Sequence, residues 1–331
     1  MIVDAERGVL VALGCDDAPA HGSLRHDGAV VELSTRPRRT VPEAIVEAAM
    51  LRGDLARAVH DAHGAAAGAA GLHPWSEAPS PSGLAPLRPR PATEVAGILG
   101  RFDPLCGLRV QVSVPSHEEA VRAFDGLRLH VPLLLAVAAN SPFWRGRYTG
   151  LASARTVLRG AALPRGFGSY AAYVEAVDAL VRAGAVGDPE SVEWDVRLRP
   201  ADGALELTVM DAQTRVDEVA GLAALVQCLA RVHAADGARR AVVIPEVLLH
   251  NRAAAAREGI RTADELAALV EECAPVAREL GCSHELAGIR RNATDPGHAR
   301  QRSITASAGL AGLVGSLVAD FADAAATALA T

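Results

Sequence analysis

Four segments of the chain alternate apolar residues with polar or charged ones, which is the pattern of β-strands with one buried and one solvent-facing side. They cover residues 31–34, 108–114, 195–199 and 205–209. The last two are joined by Pro200-Ala201-Asp202-Gly203, a sequence typical of a hairpin turn. The pattern therefore predicts an antiparallel sheet whose apolar side packs against helices.

The polar side of that sheet would carry charged side chains at Glu32, Arg109, Asp195, Arg197 and Glu206. An antiparallel sheet often exposes one face to water, so an ordinary solvated face is one interpretation. The hairpin, however, brings Asp195 or Arg197 next to Glu206 across the strands. We therefore favour a concave face lined with charges.

Apolar residues at helical spacing predict an α+β domain in which helices cover one face of the sheet. The predicted helices span 41–70, 117–124, 131–139, 170–183, 217–234, 245–258, 262–280 and 307–329. Residues 76–92 contain five Pro and several Ser, which predicts a surface loop. Since no internal repeat or clear boundary is visible, we expect residues 1–331 to form a single domain.

The composition excludes several classes of partner. The chain has 331 residues, a net charge of −6 and a pI of about 6.0, which gives no basic surface for nucleic acid or anionic lipid. Its five Cys are scattered without a CxxC pair, which favours reduced thiols. No signal peptide opens the sequence, and no apolar run is expected to approach the roughly 20 residues of a membrane span. We therefore expect a cytoplasmic protein without nucleic-acid or membrane partners.

The run from Asn140 to Arg155 places polar and cationic side chains directly after an apolar stretch. It contains Arg145 and Arg147 as well as Arg155, with two glycines among them. Guanidinium groups suit oxyanions, because their planar N–H geometry matches carboxylate and phosphate. The run therefore predicts a binding loop for an anionic small molecule.

Several blocks, in order along the chain, resemble the glutamate–cysteine ligase type 2 family, the carboxylate–amine ligases. Val31-Glu32-Leu33-Ser34-Thr35 resembles the family's Glu-Leu-x-Thr strand, and residues 69–74 resemble its Gly-x-His-Pro turn. The 140–155 run resembles its signature loop, and residues 194–214 its central hairpin. Residues 251–259 and 301–302 resemble its carboxy-terminal blocks.

The resemblance implies a glutamine synthetase-like fold, in which a curved antiparallel sheet cradles ATP, a divalent metal and an amino-acid substrate. It also implies that a carboxylate is phosphorylated and that an amine then attacks the acyl phosphate. The resemblance implies Arg155, Arg197 and Glu206 as catalytic residues, and we add Arg109 because it lies on the same predicted strand face. The implied substrate- and phosphate-binding residues are His73, Asn140, Ser141, Arg147, Thr149, Arg155 and Arg197, and the implied metal ligands are Glu32 and Glu206. ATP and Mg²⁺ would be the cofactors, an amino-acid-like molecule the substrate and a homodimer the assembly.

The sequence departs from the family pattern at three places. The family's opening strand of closely spaced Glu residues is not matched, since residues 3–8 resemble the stretch that follows it. Where the family has a His-Val-His strand, this chain has Arg109-Val110-Gln111. Thr208 replaces the Arg that the family usually carries two residues after the hairpin Glu. Because a guanidinium near Glu32 or Glu206 would oppose a dication, we hypothesise that Arg109 replaces the charge of the metal.

These departures leave three alternatives. The first is a divergent ATP-dependent carboxylate–amine ligase. The second is an enzyme on the same scaffold that performs another acyl or amide reaction without metal or ATP. The third is a non-catalytic paralogue that binds a small anionic ligand or pairs with an active homologue.

Overall fold

A computed structural model describes residues 1–4, 23–27, 30–75, 105–236 and 244–328. The predicted loop at 76–92 and most of the 3–8 stretch lie outside the described residues. The strands are β1 (Ile2–Asp4), β2 (Ser23–Asp27), β3 (Val30–Ser34), β4 (Ala65–Ala67), β5 (Val110–Ser113), β6 (Phe143–Trp144), β7 (Arg147–Tyr148), β8 (Val196–Arg199) and β9 (Ala204–Leu207). The helices are α1 (Val41–His63), α2 (His117–Ala138), α3 (Ala154–Arg159), α4 (Tyr170–Arg182), α5 (Val216–Asp236), α6 (Pro245–Glu258), α7 (Ala263–Leu280), α8 (Ser283–Gly288), α9 (Arg290–Thr294) and α10 (Gly297–Ala328).

The described strands form small antiparallel sheets. β9 lies between β5 and β8, and the other pairs are β1 with β4, β2 with β3, and β6 with β7. The expectation that the Glu32 strand shares a sheet with the other three is therefore wrong for the described residues, because β3 pairs with β2. The combination of helices with small antiparallel sheets confirms the α+β class, whereas the glutamine synthetase-like cradle stays a prediction.

The predicted hairpin is confirmed as β8 and β9. Pro200–Asp202 forms a short 3-10 turn between them, and Gly203 ends it with φ of 58°. Since this left-handed backbone strains residues that carry a Cβ, glycine is the residue that suits the position. The register sets Arg197 opposite Glu206 on one side and Gln111 of β5 opposite Glu206 on the other.

Helices α2 and α5 form the centre of the main core and pack against the apolar side of the β5–β9–β8 sheet. Ser116 caps α2 by accepting a hydrogen bond from the Glu119 N–H, as in a capping box. The sequence predicts two helices at 117–124 and 131–139, but the structure has one, with Pro132 inside it. Burial of Phe124, Leu127 and Val131 ahead of the proline, and of residues 133–138 after it, offsets the cost of an internal proline, about 3 kcal/mol.

Two helices differ from the sequence prediction at their ends. α1 ends at His63, because Gly64 adopts φ of 60° and closes the last turn with its N–H on the carbonyl of His60. α10 begins at Gly297, ahead of the predicted 307, and is kinked at Gly309, where φ is 70°. The predicted start thus corresponds to the kink rather than to the first turn.

Among the described residues, α5 and α10 contain segments long and apolar enough to cross a membrane by length and composition alone. The expectation that no apolar run approaches span length is therefore wrong for Val216–Ala235 and Gly297–Asp323. The α5 segment is mostly buried, as in the core helix of a globular domain, whereas 22% of the α10 window is buried. The absence of a membrane partner stays a prediction.

Candidate functional site

A row of polar side chains crosses the three-stranded sheet at the position of Glu206. Gln111 Nε2 on β5 donates to Glu206 Oε1 at 3.0 Å, and Arg197 Nε on β8 donates to Glu206 Oε2. The Glu206 side chain is 1% exposed. Both of its oxygens are therefore occupied by donors from the two flanking strands.

The Glu32 carboxylate joins this row from the neighbouring sheet. Arg109, at the start of the β5 region, donates from Nη1 to Glu32 Oε1 at 3.1 Å. This pair is open to solvent, with side-chain exposures of 49% for Arg109 and 41% for Glu32. Together, Glu32, Arg109, Gln111, Arg197 and Glu206 form what we call the charged face.

The charge balance of this face controls the ionisation of Glu206. Burial alone would raise its pKa, but the hydrogen bond and charge of Arg197 hold the pKa below the ordinary value. Gln111 contributes a further hydrogen bond, and Arg109 contributes through its charge. Glu206 is therefore a stable anion at neutral pH.

Asp195 was predicted to lie on the same face, but the structure places it in a buried ion pair beside the sheet. Its carboxylate is fully buried and accepts from Arg252 Nε at 2.5 Å and Nη2 at 3.1 Å. Arg159 lies 3.9 Å away. Desolvation raises the pKa of Asp195 despite these cations.

Thr208 donates to the Asp195 carbonyl at 3.3 Å and to the Trp194 carbonyl at 2.9 Å, so its hydroxyl stabilises the backbone ahead of β8.

Both ends of the 140–155 run are buried in the interior. Asp211 accepts hydrogen bonds from the Asn140 N–H at 2.8 Å, the Ser141 hydroxyl at 2.7 Å and the Ser153 hydroxyl at 2.9 Å. Gln301 Nε2 on α10 donates to Asn140 Oδ1 at 2.7 Å. We call these five residues the Asp211 hub, which ties the end of α2, the end of the hairpin and α10 together.

Arg155 also makes its contacts within the protein interior. Its guanidinium donates to the carbonyls of Thr208, Val209 and Met210 and lies 3.6 Å from Asp211. Burial lowers its pKa to about 10. Since the side chain is 6% exposed, Arg155 can reach an anion only if the hairpin backbone gives up these bonds. Its predicted phosphate-binding role, like those of Asn140 and Ser141, stays a prediction.

The middle of the run forms the β6–β7 hairpin, whose turn and second strand are exposed. Arg145 and Gly146 form its turn with φ of 49° and 77°, as a type I′ turn requires. Arg147 is exposed, whereas the Thr149 hydroxyl donates to the Pro142 carbonyl at 2.9 Å.

His73 lies in the interior, 3% exposed, where its Nδ1 accepts from the Trp75 N–H at 3.3 Å. The structure thus brings Glu32, Arg109, Arg197 and Glu206 together and places Arg147 and His73 elsewhere. The predicted roles of these two residues stay predictions.

The charged face does not fit Mg²⁺ as it is arranged. Mg²⁺ requires near-octahedral oxygen ligands, but the described residues contain no group of three His, Cys, Asp or Glu placed to hold a metal. Glu206 has both oxygens occupied, and Glu32 is paired with Arg109. Like charges 4 Å apart repel by about 4 kcal/mol per unit charge product at an effective dielectric constant of 20, so a dication would face about twice that.

Sequence reasoning missed several residues whose hydrogen bonds and ion pairs hold the backbone around the site in place. Asp211, Arg159, Arg252 and Gln301 carry buried contacts that neither periodicity nor charge pattern predicts. The available signal was position, since Asp211, Arg252 and Gln301 lie inside blocks that resemble the family.

Comparison with known proteins agrees with the resemblance. The sequence model of "Glutamate-cysteine ligase family 2" matches residues 6–320. A Rubrobacter xylanophilus protein named "Putative glutamate–cysteine ligase 2-3" is 38% identical over 325 residues, covering 91% of this chain and 86% of that protein. Proteins named "Putative glutamate–cysteine ligase 2" from Leifsonia xyli and Micrococcus luteus are 32% and 31% identical, with 87% and 92% of this chain and 82% of each relative covered. The chain therefore belongs to glutamate–cysteine ligase family 2.

Proposed function

We propose that the protein is a divergent carboxylate–amine ligase that forms an amide from an amino-acid carboxylate and an amine. The family and the names of its relatives support this reaction class. The single structural observation that carries it is the charged face, which holds Arg109 and Arg197 within one cluster on an antiparallel sheet. A glutamine synthetase-like cradle is the larger architecture that this proposal assumes.

In the proposed reaction, a substrate carboxylate oxygen attacks the γ-phosphorus of ATP, which forms an acyl phosphate and releases ADP. The amine nitrogen then attacks the acyl carbon, phosphate leaves, and the nitrogen loses a proton. Negative charge increases on the transferring oxygens, and fixed guanidinium groups stabilise it. Arg109 is suited to this because half of its side chain is exposed while Nη1 contacts Glu32.

Isotope transfer tests the acyl phosphate directly. Glutamate labelled with ¹⁸O in its carboxylates is incubated with ATP and hydroxylamine, with and without Mg²⁺. The proposal predicts a glutamyl hydroxamate and one ¹⁸O atom in each phosphate released. If neither the hydroxamate nor labelled phosphate forms under any condition, the ligase proposal is wrong.

A matched pair of variants locates the reaction. Arg109→Met removes the exposed cation of the charged face, and loss of one such stabilising donor lowers kcat about 10²- to 10³-fold. Arg278→Met removes an exposed arginine on α7, a helix whose main contacts are with α5, α8 and α9. Equal rates in the two variants would place the chemistry away from the charged face.

A second candidate function is favoured by the pairing of both carboxylates with cations. Glu32 and Glu206 are neutralised by Arg109 and Arg197, so the same face suits an anion-binding protein, or an acyl- or amide-transfer enzyme, without metal or ATP. Binding of glutamate with no nucleotide dependence and no hydroxamate would favour this candidate.

The predicted homodimer, the amino-acid-like substrate and the cytoplasmic location stay predictions. Light scattering on the purified chain tests the dimer, for which a single monomeric species would be the contradicting result.

A further inference from the structure

In the charged face, both carboxylates are paired with arginines, whereas a divalent-metal site keeps its carboxylates free for the metal. This pairing indicates how the face binds a negatively charged ligand. We propose that it binds the carboxylate or phosphate oxygens of its ligand through Arg109, without a divalent cation, and that Glu32 occupies this position until the ligand displaces it. The ligand class rests on the proposed function, whereas the mode of binding rests on the contacts of the face.

The first step of the argument concerns Glu206, which is not available to a metal. It is 1% exposed, and Gln111 and Arg197 each donate to one of its oxygens. A cation would have to displace both donors and leave the Arg197 charge beside it. Because Arg197 Nη1 also donates to the Glu190 carbonyl at 2.9 Å, its guanidinium is fixed from two sides.

The second step concerns Glu32 and Arg109, which form the exchangeable part of the face. Their contact is a single 3.1 Å hydrogen bond between side chains that are 49% and 41% exposed. Exposed ion pairs of this kind contribute little to stability, because water solvates both partners well when they separate. A ligand carboxylate can therefore take the place of Glu32 on Arg109, while Glu32 returns to water.

The third step is the charge balance. Arg109 and Arg197 offset Glu32 and Glu206, so the face is neutral without any added ion. A dication would leave it with uncompensated positive charge, and the described residues supply no trio of ligands to fix that dication. When an anion displaces Glu32, by contrast, Arg109 exchanges one negative partner for another.

Calorimetry in the presence of EDTA tests the exchange, with glutamate and inorganic phosphate as separate probes. Glu32→Gln removes the internal competitor and should tighten binding of the preferred anion at least about threefold, and Arg109→Met should weaken it about tenfold or more, which is about 1.4 kcal/mol. Arg278→Met should bind like the unaltered protein. The probe that responds identifies the ligand group as carboxylate or phosphate.

Two results would overturn this exchange. Unchanged affinity in Arg109→Met is one, and weaker binding in Glu32→Gln is the other, since both would place the anion elsewhere. Circular dichroism on each variant checks that it is folded, and both altered side chains are partly exposed.

Manganese binding tests the metal side of the proposal without an activity readout. Electron paramagnetic resonance should show no saturable Mn²⁺ binding by the unaltered chain at sub-millimolar concentrations. The double variant Arg109→His, Gln111→His removes one cation and adds two imidazoles, so its Mn²⁺ affinity should rise about tenfold or more. Arg278→His is the matched control and should not bind.

Saturable Mn²⁺ binding by the unaltered chain that disappears in Glu206→Gln would refute the metal-free face. This failure is distinguishable from failure of the ligase proposal. Anion binding through Arg109 without ¹⁸O transfer would leave the inference standing and remove the ligase reaction. Label transfer together with Mn²⁺ bound at Glu206 would do the opposite.

Discussion

Replacing Arg252 by Met should destabilise the fold severely, because it leaves the Asp195 carboxylate buried without its main counter-charge. Arg252 makes two hydrogen bonds to Asp195, and its Nη2 also donates to the Ala161 carbonyl at 2.9 Å. Removing one partner of a buried pair costs about 3–5 kcal/mol. Since Arg159 remains 3.9 Å from Asp195, we expect a loss near 3 kcal/mol, a large part of the roughly 5–15 kcal/mol typical of a domain.

Urea unfolding followed by circular dichroism measures this loss, with Arg278→Met as the control at about ±0.5 kcal/mol. The double variant Arg252→Met, Asp195→Asn should recover part of the loss, because no buried charge then lacks a partner. The deficit of Arg252→Met should also shrink as the pH falls through the raised pKa of Asp195, since a protonated carboxyl requires no cation. A loss below about 1 kcal/mol, as for an exposed pair, would refute the reasoning.

Three further changes test other parts of the structure. Glu206→Gln should lower the free energy of unfolding at pH values above the ordinary Glu pKa of about 4.3. The difference in unfolding free energy between variant and unaltered protein should vanish as the pH falls through the lowered pKa of folded Glu206. A difference that stays constant on acidification contradicts this. Burial and the charge of His233 lower the pKa of His130 to about 4. The free energy of unfolding should therefore decrease between about pH 6.5 and pH 4, because the unfolded chain takes up a proton that the folded protein does not. In urea titrations, His130→Gln should reduce this dependence of the unfolding free energy on pH. In Gly71→Ala the new Cβ would meet Asp211 Cγ at 2.7 Å, which should cost about 1–3 kcal/mol; an unchanged urea midpoint would show that the turn relaxes freely.

The sequence predicted the central hairpin and most of the long helices, because their signals are local, but it missed the short helices α3, α8 and α9. Helix 245–258 has the same bounds in the structure as α6, and the turn at 200–203 joins β8 and β9. The errors arise where distant packing overrides a local signal. Pro132 would end an isolated helix, but burial on both sides of it continues α2.

The charged face was predicted in part, since alternation identifies which side chains share a strand face. Arg197 and Glu206 meet as the hairpin register requires. Alternation cannot determine which strand adjoins which, so it assigned Glu32 to the wrong sheet and left Asp195 on the open face. The partner of Asp195 is 57 residues away in the chain, and no local pattern specifies a contact at that separation.

The Asp211 hub changes what a match to the 140–155 run reveals about another chain. Its polar atoms hold helix to hairpin, so a protein can need that run merely to fold. Possession of the run then diagnoses the scaffold, and it is uninformative about turnover. Positions 109 and 111 instead contact the two carboxylates of the charged face, so the residues found there bear directly on the chemistry of a relative.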